Sequence, residues 1–269
     1  MKFSVLISIY PKESPEFLTQ ALESLTVQSL PADEIVIVKD GTVGSELESV
    51  LDQYAMKLPL KVVGYEQNRG LGYALAFGLQ QCRYDWVARM DADDIAVKDR
   101  FEKQIAYLEQ HPEVELLGCA AMEFTELITD ARNGRRLPCS HEEIRNFLKK
   151  RNAFNHMTVV FKKQAVLDSG NYMEAPGFED YYLWVRMVLN GVRTANMPDS
   201  LVYARVGNDM IGRRIGFRYA KEEYRFYKKL QKLKFLNYAE FIKVVCMRIP
   251  LRLVPKPVLA FIYKKLLRK

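Results

Sequence analysis

The sequence predicts an α/β fold with a mainly parallel sheet and helices on both of its faces. Through the first 120 residues, short apolar runs of strand length alternate with longer stretches whose apolar residues recur at helical spacing. Repeated strand–helix units favour parallel pairing, because a parallel neighbour needs a crossover that a helix can supply. With 269 residues, the chain is long enough to bury a full hydrophobic core.

The predicted elements follow in regular order. Apolar runs predict strands at 3–9, 34–38, 60–65, 84–88 and 114–119. Ser14 can cap the first helix, with Pro15 at its first helical position. Further helices are predicted around 47–54, at 71–81, and from about residue 98.

The second half of the chain is less regular. A hairpin or loop is predicted up to residue 136, and Ser140 with Glu143 predicts a capping box at the start of the next helix. A strand is predicted at 157–161, a helix at 179–189 that Gly191 ends, and a basic helix at 212–233.

Charge is distributed unevenly along the chain, whose net charge is +7. Residues 212–269 hold 17 Lys and Arg against 3 Asp and Glu, a net charge of +14, whereas residues 1–211 hold 23 against 30, a net charge of −7. A basic tail on an acidic body points to an anionic surface as partner. The four cysteines lack metal-ligand spacing or a paired framework, so reduced thiols and a cytoplasmic location are expected.

The apolar start of the chain is interpreted as a first strand and not as a signal peptide, because it is short and no small-residue cleavage site follows. No apolar run reaches the roughly 18–20 residues that span a bilayer.

An acidic run is the most informative motif. Asp91, Asp93 and Asp94 place three carboxylates within four residues at the end of a predicted strand. Such carboxylates repel one another and are tolerated where they coordinate a cation or bind polar ligand groups, although a plain acidic turn is the alternative. Ligands bind at the carboxyl ends of parallel strands, so Tyr10, Asp40 and Asp91 are expected on one rim.

Four further positions have both a functional and a structural interpretation. Glu179 and Asp180 open a predicted helix, where the helix dipole favours acids, but one of them could also act as a general base. His156 can be a ligand contact or a hydrogen-bonding structural residue. Trp184 can belong to the core or form one wall of a sugar site.

Taken together, these segments resemble the family 2 glycosyltransferases with a GT-A fold, in particular the bacterial members that assemble capsule, exopolysaccharide or O-antigen. The resemblance covers about residues 3–215. It rests on an ordered set: the run from Val5 to Tyr10, Gln28, the run from Ile35 to Gly41, Asn68-Arg69-Gly70, Asp91-Ala92-Asp93-Asp94, Asn155-His156, and Glu179-Asp180 with Leu183, Trp184 and Arg186.

The resemblance implies a role for each matching position. Asp40 would hold the base of a nucleoside diphosphate sugar, Asp93 with Asp91 would ligate Mn²⁺ or Mg²⁺, and Asp180 would deprotonate the acceptor hydroxyl. The implied substrate-binding residues are Tyr10, Pro11, Glu13, Asp40, Asn68, Arg69, Asp91, Ala92, His156, Glu179 and Trp184. Pro11 and Lys39 depart from the usual family residues, which leaves base selectivity open.

The resemblance also implies substrates and boundaries. The donor would be a UDP-sugar, and the acceptor a polyprenyl-diphosphate-linked saccharide. The Gln-x-x-Arg-Trp motif of processive synthases is missing, so transfer of a single sugar per encounter is expected. One in-line displacement would invert the anomeric centre. Residues 1–211 would form the GT-A domain, with a nucleotide-sugar-binding half at 1–120, an acceptor-binding half at 121–211, and a basic helical extension at 212–269.

Three rival interpretations fit the sequence less well. A sugar nucleotidyltransferase would carry a Gly-rich basic loop after the first strand, where this chain has Tyr10-Pro11-Lys12-Glu13. A nucleic-acid binder would not explain the acidic rim, so no nucleic-acid partner is expected. An inactive family member would not be expected to keep every acid of the pattern.

The tail, residues 236–269, predicts peripheral attachment to the inner face of the cell membrane. Pro250, Pro255 and Pro257 are expected to divide it into short pieces. On a helical wheel at about 100° per residue, apolar residues between 258 and 267 fill one half and basic residues the other, with Phe261 the exception. This pattern is typical of a helix lying in an anionic membrane surface. A helix packed on the catalytic domain is the alternative.

Overall fold

The computed structural model describes residues 1–207 and 212–254, apart from the side chain of Arg213. The strands within these ranges are β1 (Phe3–Ile9), β2 (Glu34–Asp40), β3 (Leu60–Tyr65), β4 (Trp86–Arg89), β5 (Ile95–Ala96), β6 (Val114–Phe124), β7 (Arg132–Asn133), β8 (Val160–Lys162) and β9 (Arg193–Arg205).

The α-helices are α1 (Pro15–Thr26), α2 (Ser45–Ala55), α3 (Leu71–Gln81), α4 (Arg100–Gln110), α5 (His141–Phe147), α6 (Lys163–Asp168), α7 (Glu179–Leu189), α8 (Phe217–Lys232) and α9 (Tyr238–Leu253). Short 3₁₀ helices lie at Ile128–Asp130, His156–Thr158 and Gly212–Arg214. The predicted caps are confirmed, because Ser14 Oγ accepts the Phe17 N–H at 3.3 Å and Ser140 and Glu143 form the capping box of α5.

One sheet connects both halves of the chain, in the order β3-β2-β1-β4-β8-β6-β9-β5, with β7 paired to β6. The first four strands in this order are parallel, as predicted. Beyond β4 the sheet is mixed, because β8 runs antiparallel to both β4 and β6 while β6 and β9 are parallel. β9, the longest strand, was not predicted from the sequence, because its bulged pairing with β6 interrupts its periodicity.

Helices cover both faces of the sheet, which confirms that prediction. Alternate residues of β1 face opposite clusters: Leu6 packs with α3, and Val5 and Ile7 pack with α1. The first cluster also takes in α5, α7 and α8, and the second takes in α2 and α4. Each crossover helix therefore buries its apolar stripe against the sheet, leaving the carboxyl ends of the strands for a binding site.

The described part of the C-terminal extension packs on the second half of the chain, against α7. Phe226 of α8 stacks on Phe178 at a ring-centroid distance of 4.7 Å, and Tyr227 and Leu230 are fully buried in the same cluster as α7. Phe241 and Val244 of α9 are also buried there. Helices α8 and α9 therefore match the alternative in which the C-terminal helix packs on the rest of the protein.

Pro250 does not break the tail where the sequence predicted, because it lies inside α9. Arg248 and Arg252 flank the proline, and both bind Glu223 of α8 at 2.7 Å, so tertiary ion pairs hold the last turn across it. Among the described residues, no helix is both long and apolar enough to cross a bilayer. The predicted amphipathic stretch at 258–267 lies outside the described residues.

Candidate active site

Three carboxylates from the turn after β4 come together at the rim of the sheet. One oxygen each of Asp91, Asp93 and Asp94 lies within 4.8 Å of the others. Asp94 is only 2% exposed; its Oδ1 accepts the Arg205 N–H at 2.8 Å, whereas its Oδ2 is buried without a hydrogen-bond partner. The structure thus brings together the acids that the sequence singled out.

The negative charges of these carboxylates repel one another. Burial and the charge of Asp91 raise the pKa of Asp93, and burial followed by Asp91 and Asp93 raises that of Asp94 well above its ordinary value. Glu13 feels the same charges: burial and then the charge of Asp93 raise its pKa to about 7. A divalent cation would remove this repulsion, and carboxylate oxygens suit Mg²⁺ or Mn²⁺. The residues therefore fit a hard cation, and the unpaired oxygen of Asp94 fits it too.

Arg89, at the end of β4, connects the acidic cluster to the second half of the site. It is 2% exposed and donates through Nη2 to Asp91 Oδ1, while its Nε and Nη1 are buried without a partner. Its charge also acts on Asp180 and on His156. Arg89 was given no role from the sequence, because its contacts beyond the acidic run depend on the tertiary structure.

Arg205, the last residue of β9, holds the acidic turn from the other side. Its side-chain Nε donates to the Asp93 carbonyl at 3.1 Å, and its Nη2 donates to Gln20 Oε1 at 2.5 Å. The guanidinium lies between the rings of Phe17 and Phe124, at 3.9 and 4.4 Å from their centroids. Arg205 was not predicted as a site residue, because its partners are distant along the chain.

Asp180 opens α7 on the other side of Arg89. Its Oδ2 accepts Asn152 Nδ2 at 2.6 Å and its Oδ1 accepts the Tyr181 N–H at 2.7 Å. Burial raises its pKa, against these two hydrogen bonds and the charges of Arg89 and Arg135. Arg135 is fixed nearby, because its Nη1 donates to the Asn152 carbonyl at 2.7 Å. Asn152 and Arg135 are further site residues that the sequence analysis missed.

The neighbours of Asp180 divide between site and core. Glu179 meets the start of α3, where a Cβ added to Gly72 would lie 2.9 Å from Glu179 Cγ. His156 Nε2 lies 2.9 Å from the Tyr172 hydroxyl, and burial and Arg89 lower its pKa well below the usual value, so the ring is neutral. Trp184 is completely buried against Phe154. The expectation that Trp184 forms a wall of the sugar site is therefore wrong, because its ring has no face open to a ligand.

Asp40 organises the loop that precedes α3. Its carboxylate accepts hydrogen bonds from the Tyr65 hydroxyl at 2.9 Å, the Arg69 N–H at 2.7 Å, the Gly70 N–H at 2.9 Å and Asn68 Nδ2 at 3.1 Å. Four bonds engage about all the lone pairs of a carboxylate. Direct recognition of a base by Asp40 would therefore require one of these bonds to open, and the role of Asp40 as a base contact stays a prediction.

The remaining predicted substrate contacts lie at the rim. Tyr10 is 43% exposed and Pro11 is exposed beside it, directly after β1. Arg69 is exposed, and its guanidinium carbon Cζ lies 3.5 Å from the centroid of the Tyr73 ring. The side chain of Ala92 is buried in the core cluster of α1 and α4, so only its backbone could contact a ligand.

Comparison with known proteins identifies related chains. The family model for glycosyl transferase family 2 matches residues 4–169. The amylovoran biosynthesis glycosyltransferase AmsE of Erwinia amylovora is 46% identical over 98% of this chain and 98% of its own. A UDP-Gal:α-D-GlcNAc-diphosphoundecaprenol β-1,3-galactosyltransferase of Escherichia coli is 38% identical over 100% of this chain and 97% of its own.

The fold has solved counterparts. A mannosyltransferase from Pyrobaculum calidifontis, in complex with GDP-Man and Mn²⁺, superimposes with a TM-score of 0.67 at 18% identity, covering 98% of this chain and 75% of that one. This likeness, with the sheet order and the acidic turn after β4, confirms the expected GT-A fold.

Proposed function

The chain belongs to glycosyl transferase family 2, and from that membership we propose that it moves one hexose from a UDP-sugar to a hydroxyl of a polyprenyl-diphosphate-linked saccharide. The observation that carries this proposal is the pairing of two acidic groups across Arg89: the cluster of Asp91, Asp93 and Asp94 on one side and Asp180 on the other. The first suits a cation-bound diphosphate, and the second suits a base.

Asp91 and Asp93 would hold Mn²⁺ or Mg²⁺, and the ion would neutralise charge on the departing diphosphate. Asp180 would take the proton of the acceptor hydroxyl, which is a weak nucleophile until a carboxylate removes it. Its raised pKa favours proton uptake, and Asn152 keeps the carboxylate oriented. Attack in line with the departing diphosphate inverts the anomeric centre, so no protein nucleophile is needed.

Two features support a lipid-linked acceptor. The galactosyltransferase relative is named for an undecaprenol diphosphate acceptor, and it aligns over the full length of this chain. In addition, α9 exposes an apolar stripe, with Tyr238 at 71%, Ile242 at 41% and Leu253 at 55% exposure on one side of the helix at about 100° per residue. With a net charge of +14 for residues 212–269, this stripe suits peripheral docking on an anionic membrane surface.

A donor and product assay tests the proposal. The wild-type protein is incubated with Mn²⁺, an alkyl-diphosphate derivative of N-acetylglucosamine and, in turn, UDP-, GDP- and dTDP-hexoses. We expect transfer from one UDP-hexose, with the product of opposite anomeric configuration to the donor by NMR. Retention of configuration would contradict the inverting mechanism. Formation of a sugar nucleotide from a sugar 1-phosphate and UTP would instead indicate a nucleotidyltransferase.

A further inference from the structure

The helices α8 and α9 form an antiparallel hairpin with one exposed face. The Gly216 N–H, just before α8, donates to the Arg252 carbonyl near the end of α9 at 2.7 Å, and residues 233–237 connect the opposite ends of the two helices. Leu230 of α8 and Val244 of α9 are buried in the same core cluster. The sides of both helices that lie opposite these two residues therefore point away from that cluster.

α8 contributes a row of lysines to this exposed face. At about 100° per residue, Lys221, Lys228 and Lys232 lie within a sector of about 40° opposite Leu230, and all three are exposed. Phe217 lies on the same side and is 77% exposed. In the part of the chain that the structure describes, no carboxylate lies within salt-bridge distance of these three lysines. Their positive charges are therefore available to an external anion.

α9 contributes an apolar part to the same side of the hairpin. The stripe of Tyr238, Ile242 and Leu253 lies opposite Val244, so it points in the same direction as the lysines of α8. We call the three lysines and this stripe the docking face. Lysines beside an apolar strip are typical of helices that lie in a membrane interface, with the apolar side chains at the acyl boundary and the amines at the headgroups.

The composition of the docking face favours a lipid surface over other anionic partners. A nucleic acid would bind the lysines through its phosphates but would leave the apolar stripe in water. Lysine is depleted in protein–protein interfaces, which makes a protein partner a poor match. An anionic bilayer engages both parts at once, because its headgroups attract the lysines and its interface buries the apolar side chains.

The buried side of the hairpin contacts the loop that leads to Asp180. Phe226 of α8 stacks on Phe178, the residue before α7, and Lys229 Nζ donates to the Glu174 carbonyl at 2.6 Å. The thickness of one helix therefore separates the docking face from the loop that ends at α7. A protein docked through this face would hold the proposed base close to the membrane surface.

We propose that the docking face binds the surface of an anionic bilayer, with the lysines of α8 at lipid phosphates and the stripe of α9 in the interface. This surface belongs to the folded hairpin and is distinct from residues 255–269. Its use in catalysis rests on the proposed function, because docking helps only an acceptor that lies in the membrane. Enzyme and acceptor are then confined to one plane.

Co-sedimentation of the full chain with phosphatidylglycerol vesicles tests the docking face without turnover. One variant replaces the three lysines of α8 by glutamine, and a control with the same change in net charge replaces three exposed lysines of the first half of the chain, Lys2, Lys57 and Lys61. At physiological salt we expect the α8 variant to bind at least about tenfold more weakly than the wild type, and the control to bind as the wild type does. Equal binding by the two variants would overturn the proposal.

A second pair of variants tests the apolar stripe. Ile242→Asn should weaken vesicle binding even at high salt, where the lysines are screened, because the loss of apolar burial does not depend on salt. Met56→Asn is the control, since Met56 follows α2 and is 89% exposed. Unchanged binding by Ile242→Asn would remove the stripe from the docking face. Binding of duplex DNA that the α8 lysine variant loses, with vesicle binding unchanged, would assign the lysines to nucleic acid and overturn the proposal.

Kinetics separate this inference from the proposed function. With a polyprenyl-linked acceptor in phosphatidylglycerol vesicles, the α8 lysine variant should raise the acceptor KM about tenfold, whereas KM for a water-soluble short-chain acceptor should not change. Weaker sedimentation with an unchanged KM for both acceptors would overturn the role of docking in catalysis. Weaker sedimentation when even the wild-type protein transfers no sugar would support the docking face and contradict the proposed function.

Discussion

At the scale of single residues, Asp180 has one oxygen on Asn152 and the other on the first turn of its own helix. Asp180→Asn keeps this shape but cannot accept a proton, so we expect kcat to fall about 10²- to 10⁴-fold with donor binding retained. Steady-state kinetics and donor titration measure the two effects. Glu179→Gln is the control. If that variant loses activity and Asp180→Asn does not, Glu179 and not Asp180 is the base.

Asn152 tunes the same carboxylate. Its amide donates to the ionised form of Asp180, and this bond favours a lower pKa. Asn152→Ala should therefore raise the pKa of Asp180, so that the base becomes deprotonated only at higher pH. We expect the acid limb of kcat against pH to move upward, with activity recovered at alkaline pH. An unchanged limb with uniformly lower kcat would show that Asn152 acts only in packing.

Asp93 belongs to a cluster whose members repel one another. Asp93→Ala should abolish turnover, because the cation loses a ligand. The midpoint of unfolding without metal should not fall, since one repulsive charge has been removed. Activity assays with added Mn²⁺ measure turnover, and thermal unfolding in EDTA measures the midpoint of unfolding. Asp52→Ala, which removes an exposed acid of α2, is the control. Full wild-type activity in excess EDTA would contradict the metal requirement.

At the scale of elements, Glu223 fixes α9 to α8. It is fully buried and accepts from Arg248 and Arg252 at 2.7 Å, and these arginines hold its pKa below the usual value against the effect of burial. Glu223→Ala removes the buried carboxylate that accepts from both arginines, so we expect a loss of about 3–5 kcal/mol in the free energy of unfolding.

Denaturant unfolding checks this value. The matched control is Glu222→Ala, which removes only a surface pair with Arg225 and should cost less than about 1 kcal/mol. Similar losses for the two variants would mean that α9 is not held by the buried ion pairs.

Elements with a simple period were predictable, and those built on long-range pairing were not. β1 and α3 have the predicted bounds, because local apolar runs and spacing in the sequence mark the residues that they bury. β5 has only two residues and exists because it pairs with β9 more than 100 residues later. α9 continues across Pro250 because Glu223 of another helix holds it.

At the scale of the whole molecule, the separation of charge predicts attachment to anionic membranes. Removing residues 255–269 keeps α8 and α9, with their buried contacts, and deletes five of the basic residues. We expect the truncated protein to co-sediment less with phosphatidylglycerol vesicles than the full chain, and the difference to shrink at high salt. Phosphatidylcholine vesicles are the control. Equal sedimentation of both proteins would eliminate this role of the tail.

The sequence by itself determined the α/β class, the parallel first half and the acidic turn, because apolar spacing, caps and clustered carboxylates are local properties of the chain. The tertiary structure alone decided which groups surround those acids. Arg205 reaches Asp94 across 111 residues and Asn152 reaches Asp180 across 28, and such contacts leave no periodic signal. It also placed Trp184 in the core, since burial depends on what packs against a residue and not on its type.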